Sequence, residues 1–299
     1  MSVQPSDGPG LDTDQLPLNF PQTFLPDRRL LGKLLVFAEG NGGGDKESIG
    51  AATGIPTGKS TGKVEPMIHY ARGMGMVRAS RTAGVWRLGL TPLGRIVRRE
   101  DPFLSEPLTL WLLHLLLSRR WGREAPAVGV ADAWFAFFAE GRFRLGPRFS
   151  PSEALDFLTA RHGEKRSLKS LSTLVPRMYQ EDSSFAAIPV LTLDASAQET
   201  VFVRGEAPVE RAFFPAYAAC LFLLWDEQFS GDRQLAFRDV ERETRLLSLL
   251  GWSDAQATRW LDWMADKGLV QIDRYTGDAV LLRLRETGEV VDALYSELL

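Results

Sequence analysis

The sequence predicts a mainly α chain with small β-hairpin wings, built as winged helix–turn–helix modules around a helical middle region. Three observations predict it. Apolar residues recur at helical spacing along most of the 299 positions. β-type residues flank a glycine-centred turn at Met76–Leu90, as in a hairpin. The chain also echoes itself. Gly75-Met76-Val77, Arg81, Gly84, Leu88, Leu90, Gly94 and Val97 match Gly268-Leu269-Val270, Arg274, Gly277, Leu282, Leu284, Gly288 and Val291, with one extra residue in the later hairpin.

Four segments follow from this. Residues 1–26 are polar, acidic and rich in Gly and Pro, and are expected to be a flexible N-terminal segment. They lack the basic and apolar regions of a signal peptide. Residues 27–100 are expected to form a basic winged module, and 101–204 a helical middle domain with a second basic helix–turn–helix-like element. Residues 205–299 are expected to form an acidic winged-helix-like domain.

In the first module, Leu30, Leu31, Leu34, Leu35 and Phe37 mark a helix over Arg28–Phe37. Asn41–Gly44 reads as a break. Asp45–Thr53 reads as a short helix with Ile49 and Ala52 facing inward. A turn, Gly54–Lys63, leads to a third helix ending near Gly73 or Gly75. Pro66 is tolerated only in the first turn, so this helix starts near Gly62–Val64. A hairpin turning at Thr82-Ala83-Gly84 follows, and Thr91-Pro92 opens another helix as N-cap and N1. Gly54–Ser60 suggests a phosphate-binding nucleotide loop, but its spacing is one residue short and a helix precedes it instead of a strand.

In the middle, Asp101–Arg120 reads as helix, with Leu108–Leu117 nearly all apolar and His114 a core histidine. Val130–Glu140 reads as a second apolar helix whose Trp134, Phe135, Phe137 and Phe138 are packing residues. Ser150–Glu153 is a capping box that opens a helix over Pro151–Arg161. A turn then leads into Ser167–Tyr179. In the last segment, Ser253 and Gln256 form a capping box for a helix over Ser253–Lys267.

The composition, 44% hydrophobic and 24% charged, is that of a soluble chain and excludes collagen-like, coiled-coil and wholly disordered classes. Leu108–Leu117 is about half the length of a membrane span, so the chain is expected in the cytoplasm, associated with the nucleoid and not the membrane. A single cysteine, Cys220, excludes an intramolecular disulfide and a cysteine-rich zinc site, and reads as a buried inert thiol.

The net charge of −3 hides an uneven distribution. Residues 57–99 carry +8 and 142–177 carry +5, whereas 205–299 carry −7. A basic island on a folded module is the footprint of a polyanion partner, here double-stranded DNA. The third helix of a winged module enters the major groove N-terminus first. Lys59, Ser60, Thr61 and Lys63 at that end suit phosphate, with His69 and Arg72 farther along the helix. Arg78 and Arg81 would contact DNA from the wing, and Arg95, Arg98 and Arg99 would extend the basic surface. Arg166, Lys169 and Arg177 form a second candidate contact. The C-terminal copy carries Trp252, Asp254, Gln256 and Asp262 at corresponding places. Carboxylates there repel phosphate, so this module is expected to serve protein interaction or homodimerisation.

The strings Gln22-Thr23-Phe24, TGIPTGKSTGKV, HYARGMGMV, LTPLGRIVRREDPFLSEPLTLWLLHLLL, AWFAFFAE and SLKSLSTLVPRMY resemble an SspB-like, uncharacterised-domain family of bacterial DNA phosphorothioation gene clusters, over about residues 19–190. The resemblance implies sequence-directed DNA binding and a DNA-nicking activity that prepares the backbone for sulfur insertion, within a phage-defence system. It also implies work beside a cysteine desulfurase, an ATPase and a sulfur-transfer enzyme. Other branches carry His-Glu-Thr-Phe where this chain has Pro21-Gln22-Thr23-Phe24, a departure that removes two titratable side chains.

Nicking needs a nucleophile and charge stabilisation, commonly from a divalent metal held by carboxylates. No cofactor is evident in the sequence, and a divalent metal is expected only if the chain nicks DNA. His69, His114 and His162 lie far apart, and no catalytic residue is identified. Ser60, Thr61 and Tyr70 bear hydroxyls near the expected DNA but read as contacts or core. The leading expectation is a DNA-recognition subunit of a phosphorothioation system. The alternatives are a winged-helix transcriptional regulator without catalysis and a pure assembly protein.

Overall fold

The computed structural model describes residues 10–11, 14–59, 62–274 and 277–298. Helices dominate, and the strands form small antiparallel sheets of two or three. α1 (Arg28–Glu39) starts where the Asp27 carboxylate accepts from the Arg29 and Leu30 N–H groups. The expected break at 41–44 holds a two-residue strand, β1 (Gly43–Gly44), paired with β3 (Val85–Leu90). A side chain at Gly43 would come within 2.8 Å of the Trp86 carbonyl, so glycine is what lets the chain join the sheet. α2 (Lys46–Thr53) is capped by Asp45 and ends at Gly54, whose φ is 68°. Its inner face is Ile49, Gly50 and Thr53, whereas Ala52, expected inside, is exposed. The buried Thr53 hydroxyl donates to the Ile49 carbonyl and accepts from Ile55 N–H, which turns that side of the helix inward.

α3 (Val64–Gly73) begins in the expected window, with Pro66 in its first turn. β2 (Val77–Thr82) and β3 close through Ala83 and Gly84, with φ 50° and 83°, the tight turn that matches strand twist. α4 (Pro92–Glu100) is capped by buried Thr91, which accepts from Gly94 N–H at 2.9 Å and donates to the Gly75 carbonyl.

The helix expected over 101–120 is shorter. α5 (Pro107–Leu117) is buried almost all round, but 101–106 is a loop. The Asp101 carboxylate accepts from Ser105 N–H, Ser105 Oγ and Glu106 N–H, offering the backbone a partner that helix would not. β4 (Arg120–Trp121) pairs with β5 (Val128–Gly129). α6 (Asp132–Phe135), a π turn (Ala136–Glu140) and α7 (Gly141–Arg144) form one interrupted helix. β6 (Arg148–Phe149) leads to α8 (Pro151–His162), which has the expected Ser150–Glu153 capping box, and then to α9 (Leu168–Arg177). β7 (Leu191–Leu193) and β8 (Phe202–Arg204) complete a sheet ordered β6-β8-β7.

The last segment runs α10 (Phe214–Gln228), β9 (Gln234–Ala236), α11 (Phe237–Thr244), α12 (Leu246–Leu250), α13 (Asp254–Asp266), β10 (Val270–Asp273), β11 (Val280–Arg283) and α14 (Thr287–Asp292). Its sheet order, β9-β11-β10, repeats β1-β3-β2. Gly75 and Gly268, matched in the echo, both have positive φ after the third helix. The pairing Val77↔Leu90 corresponds to Val270↔Arg283, so the echoed Leu90 and Leu284 are not equivalent in register. The later copy's extra length lies between strand and helix, not within the paired strands.

One hydrophobic core runs from Leu11 to Leu294 across all segments. Where a flexible lead-in was expected, residues 14–26 pack onto the body over their described length. Leu16 and Phe20 are buried, and Leu16 N–H donates to the Val130 carbonyl at 2.8 Å. The apolar Leu16-Pro17-Leu18 and Phe20 outweigh the polar residues around them. Fully buried Arg119 joins front to back: it donates to the Gly73 carbonyl at the end of α3 and pairs with Glu227 of α10 at 3.2 Å.

Candidate nucleic-acid interface

The basic front is built by the loop before α3, the β2–β3 hairpin and α4. Lys59 is exposed, and no carboxylate lies within ion-pairing distance of it among the described residues. Ser60 and Thr61 lie outside the described residues. Lys63 is half-buried, N-terminal to α3, with its Nζ 5.7 Å from the centre of the Phe24 ring. The Phe24 carbonyl accepts from the Tyr70 hydroxyl at 3.0 Å. Tyr70 is completely buried, and burial holds its phenol well above the usual range, so it is a core residue and not a nucleophile.

α3 itself offers little surface: eight of its ten residues are buried. Arg72 is 8% exposed and pairs with Asp14 at 3.1 Å, so it is not placed for a surface contact. His69 sits edge-on between Phe20 and Trp86, with ring centres 6.0 and 5.6 Å away. The segment before α1 and the hairpin therefore cover the helix face that the sequence assigned to DNA.

Strand alternation divides the hairpin arginines. Arg81 lies opposite Trp86 on the core-facing side, its guanidinium 5.2 Å from the Trp86 ring and 2.9 Å from Glu65 of α3. Arg78 and Ser80 lie on the other face, where Arg87 pairs across from Ser80 and is exposed. Arg78 is half-buried and donates to the Gly10 carbonyl. Arg87 was missed in the sequence, although its two-residue offset from Val85 and Gly89 on a strand was enough to place it outward. On α4, exposed Arg95 donates to the Leu90 carbonyl, Arg98 pairs with Glu39 at 3.6 Å and Arg99 with Glu100 at 2.6 Å. Among the described residues, Lys59 and Arg87 are thus the exposed cations of the front without a carboxylate or carbonyl partner, with Lys63, Arg78 and Arg95 in the same region.

In the second basic segment Arg166, Lys169 and Arg177 are exposed, and Lys169, Thr173 and Arg177 form one stripe of α9. Arg177 is partly neutralised by Glu181 at 2.8 Å. Nearby Asp132 holds Arg161 at 2.7 Å and lies 3.4 Å from His162; burial, more than these charges, pulls the His162 pKa down. His114 is fully buried against the Tyr179 hydroxyl at 2.7 Å, and burial brings it down to about 3. Cys220 is buried, with its thiol pushed up to about 12.

At the back, α13 has the expected capping box, and Trp260, Leu261 and Met264 are buried. Asp254, Asp262 and Asp266 are exposed, Asp262 pairing with Arg274 at 2.5 Å. A cleft of about 420 Å³ separates α13 from Arg211 and Phe214.

No family model matches the chain, and no curated protein matches its sequence. Solved structures do match. They include the magnesium ion-bound SspB crystal structure, at a TM-score of 0.71, and the SspB crystal structure, at 0.70. Each is 14% identical, and each match covers 97% of this chain and 88% of the other. Among the described residues of this chain no group of three or more His, Cys, Asp or Glu side chains could hold a metal ion, and no step through a metal is assigned. At this identity the likeness is one of fold, and over nearly its whole length the chain is similar in fold to SspB.

Proposed function

We propose that the chain is a DNA-binding component of a bacterial DNA phosphorothioation system, with a winged helix–turn–helix module at each end. The observation that carries the reading is a helix, strand, helices, hairpin, helix order with the same sheet order, which occurs at both ends on opposite charge, basic over 57–99 and acidic over 205–299; the later copy has one more helix, α12, before the third. The likeness of fold to SspB supports the link to phosphorothioation. The front module would meet the duplex through Lys59, Lys63, Arg78 and Arg87, with Arg95 flanking them. Ser60 and Thr61 lie between Lys59 and Lys63 in the sequence. The exposed stripe of α9, with Arg166, would supply a further phosphate contact.

The back module would meet protein, a second copy of the chain or another phosphorothioation protein. Exposed Asp254, Asp262 and Asp266 on its third helix would repel a phosphate backbone.

Two assays test the reading. Duplex binding followed through a salt titration should weaken steeply, with a log–log slope of about −0.9 for each phosphate neutralised. A slope near zero would leave only the assembly-protein alternative. Supercoiled plasmid incubated with the chain and magnesium should become nicked. Duplex binding with no nicking in the presence of the partner enzymes would favour the transcriptional-regulator alternative.

A further inference from the structure

The second basic segment is more crowded with arginine at its start than on α9. Within seven residues, 142–148, it holds three arginines and no carboxylate. Arg204 of β8 joins them from a distance in sequence: a side chain at Gly141 would come within 2.9 Å of its Nη2. Arg142 donates to the Gly251 carbonyl at 3.0 Å and Arg204 to the Gly146 carbonyl at 2.9 Å. Arg144 is exposed. Among the described residues the one ion pair made by these four arginines joins Arg148 to Asp194. The Arg204 Nη2 is buried with no hydrogen-bond partner among the described residues. Burial, with the Arg142 charge beside it, brings the Arg204 guanidinium down to about 10, as expected for a cation lacking a counter-charge.

An aromatic residue stands between Arg142 and Arg144 in the chain. Phe143 is 71% exposed on α7, the last turn of an interrupted helix whose earlier residues 132–139 are all buried. In a regular helix, position 143 would fall one turn beyond Ala139 and two beyond Ala136, both buried. The π turn over Ala136–Glu140 leads into α7, of whose four residues only Gly141 is buried, so the ring lies where the helix leaves the core. A large apolar side chain displayed among cations, on a turn whose register is displaced, matches the stacking platforms that hold unpaired bases.

We propose that this corner is a nucleic-acid contact for unpaired or locally opened DNA. One unstacked base would lie on exposed Phe143, with a flanking phosphate on exposed Arg144, while Arg142 and Arg204 add positive charge behind them. The proposal rests on the DNA-binding reading above and adds a single-strand site to it. The exposed ring beside exposed arginine favours nucleic acid over an acidic protein surface, because an unpaired base offers a face to stack and the phosphate beside it the counter-charge.

The test uses the full chain and fluorescence anisotropy with two probes, a labelled oligo-dT strand and a duplex of the same length. Phe143→Ala should weaken oligo-dT binding by about 5- to 150-fold and leave duplex binding within about twofold, and Phe143→Trp should keep oligo-dT binding. Wild-type-like oligo-dT binding by Phe143→Ala would overturn the proposal, as would an equal loss on both probes. So would unchanged oligo-dT binding together with lost self-association in sedimentation, which would make Phe143 a protein contact. A wild-type chain that binds neither probe would refute the DNA-binding reading itself. Normal duplex binding with an indifferent Phe143→Ala would refute only this site.

Discussion

The two faces of the β2–β3 hairpin give a sharp prediction. Arg81 and Arg87 are both on the hairpin and both partly solvent-accessible, yet they should fail in different ways when truncated. Arg87 projects from the outer face with no carboxylate partner among the described residues, so Arg87→Ala should remove one phosphate contact. The log–log salt slope should then fall in magnitude by about 0.9, which changes the affinity ratio between 50 and 200 mM salt by about 3.5-fold. Arg81 is 48% exposed, lies over Trp86 and pairs with Glu65. Its loss removes a surface cation–π contact worth about 0.5–1 kcal/mol and an ion pair worth about 0.2–1 kcal/mol, both discounted for solvent. Arg81→Ala should therefore cost about 1 kcal/mol of stability with the slope unchanged. Duplex anisotropy across a salt series, paired with urea denaturation, reads both quantities. A reduced slope in Arg81→Ala with an unchanged slope in Arg87→Ala would refute the assignment of faces.

Other consequences follow from buried groups. Arg119→Ala should destabilise the chain by about 3–5 kcal/mol, since it breaks a buried ion pair with Glu227; in urea denaturation the Arg119→Leu, Glu227→Leu double variant should recover much of that loss. His114 has a folded pKa of about 3 against an ordinary 6.5, so the unfolded chain binds the extra proton between those values. Stability should thus be intact above about pH 6.5 and fall as pH drops toward 3, by about 1.4 kcal/mol per unit from this group; His114→Leu should flatten that part of the urea-denaturation profile. Cys220 should resist an aromatic disulfide reagent in the native chain at pH 8 and react at once in guanidinium, whereas rapid native labelling would contradict its burial.

Local signals in the sequence located most of the helices. Capping boxes at Ser150 and Ser253, Pro at N1 after Thr91, and Gly75 with Gly268 act within a few residues, and each element begins or ends where they say. What was not legible depends on partners far along the chain. Arg72 looked like a surface cation because its partner, Asp14, lies 58 residues earlier in the chain. The loop at 101–106 looked helical because the carboxylate that diverts it, Asp101, is equally at home in a helix end. The exposed Phe143 follows a π turn that apolar spacing does not reveal, and Arg204 comes to the Gly141–Phe149 segment only through the β6–β8 pairing. The segment charges located the basic front, but the choice among its cations needed burial. Among the described residues, Lys59 and Arg87 are exposed without a carboxylate partner, whereas Arg72 of the third helix is buried and paired with Asp14.

Hydrogen exchange of the full chain with and without duplex DNA shows which end meets the duplex. Binding should slow exchange in the loop before α3 and along β2–β3, with α13 and β10 unchanged. Protection confined to α13, or a front module that exchanges identically with and without duplex, would contradict that placement.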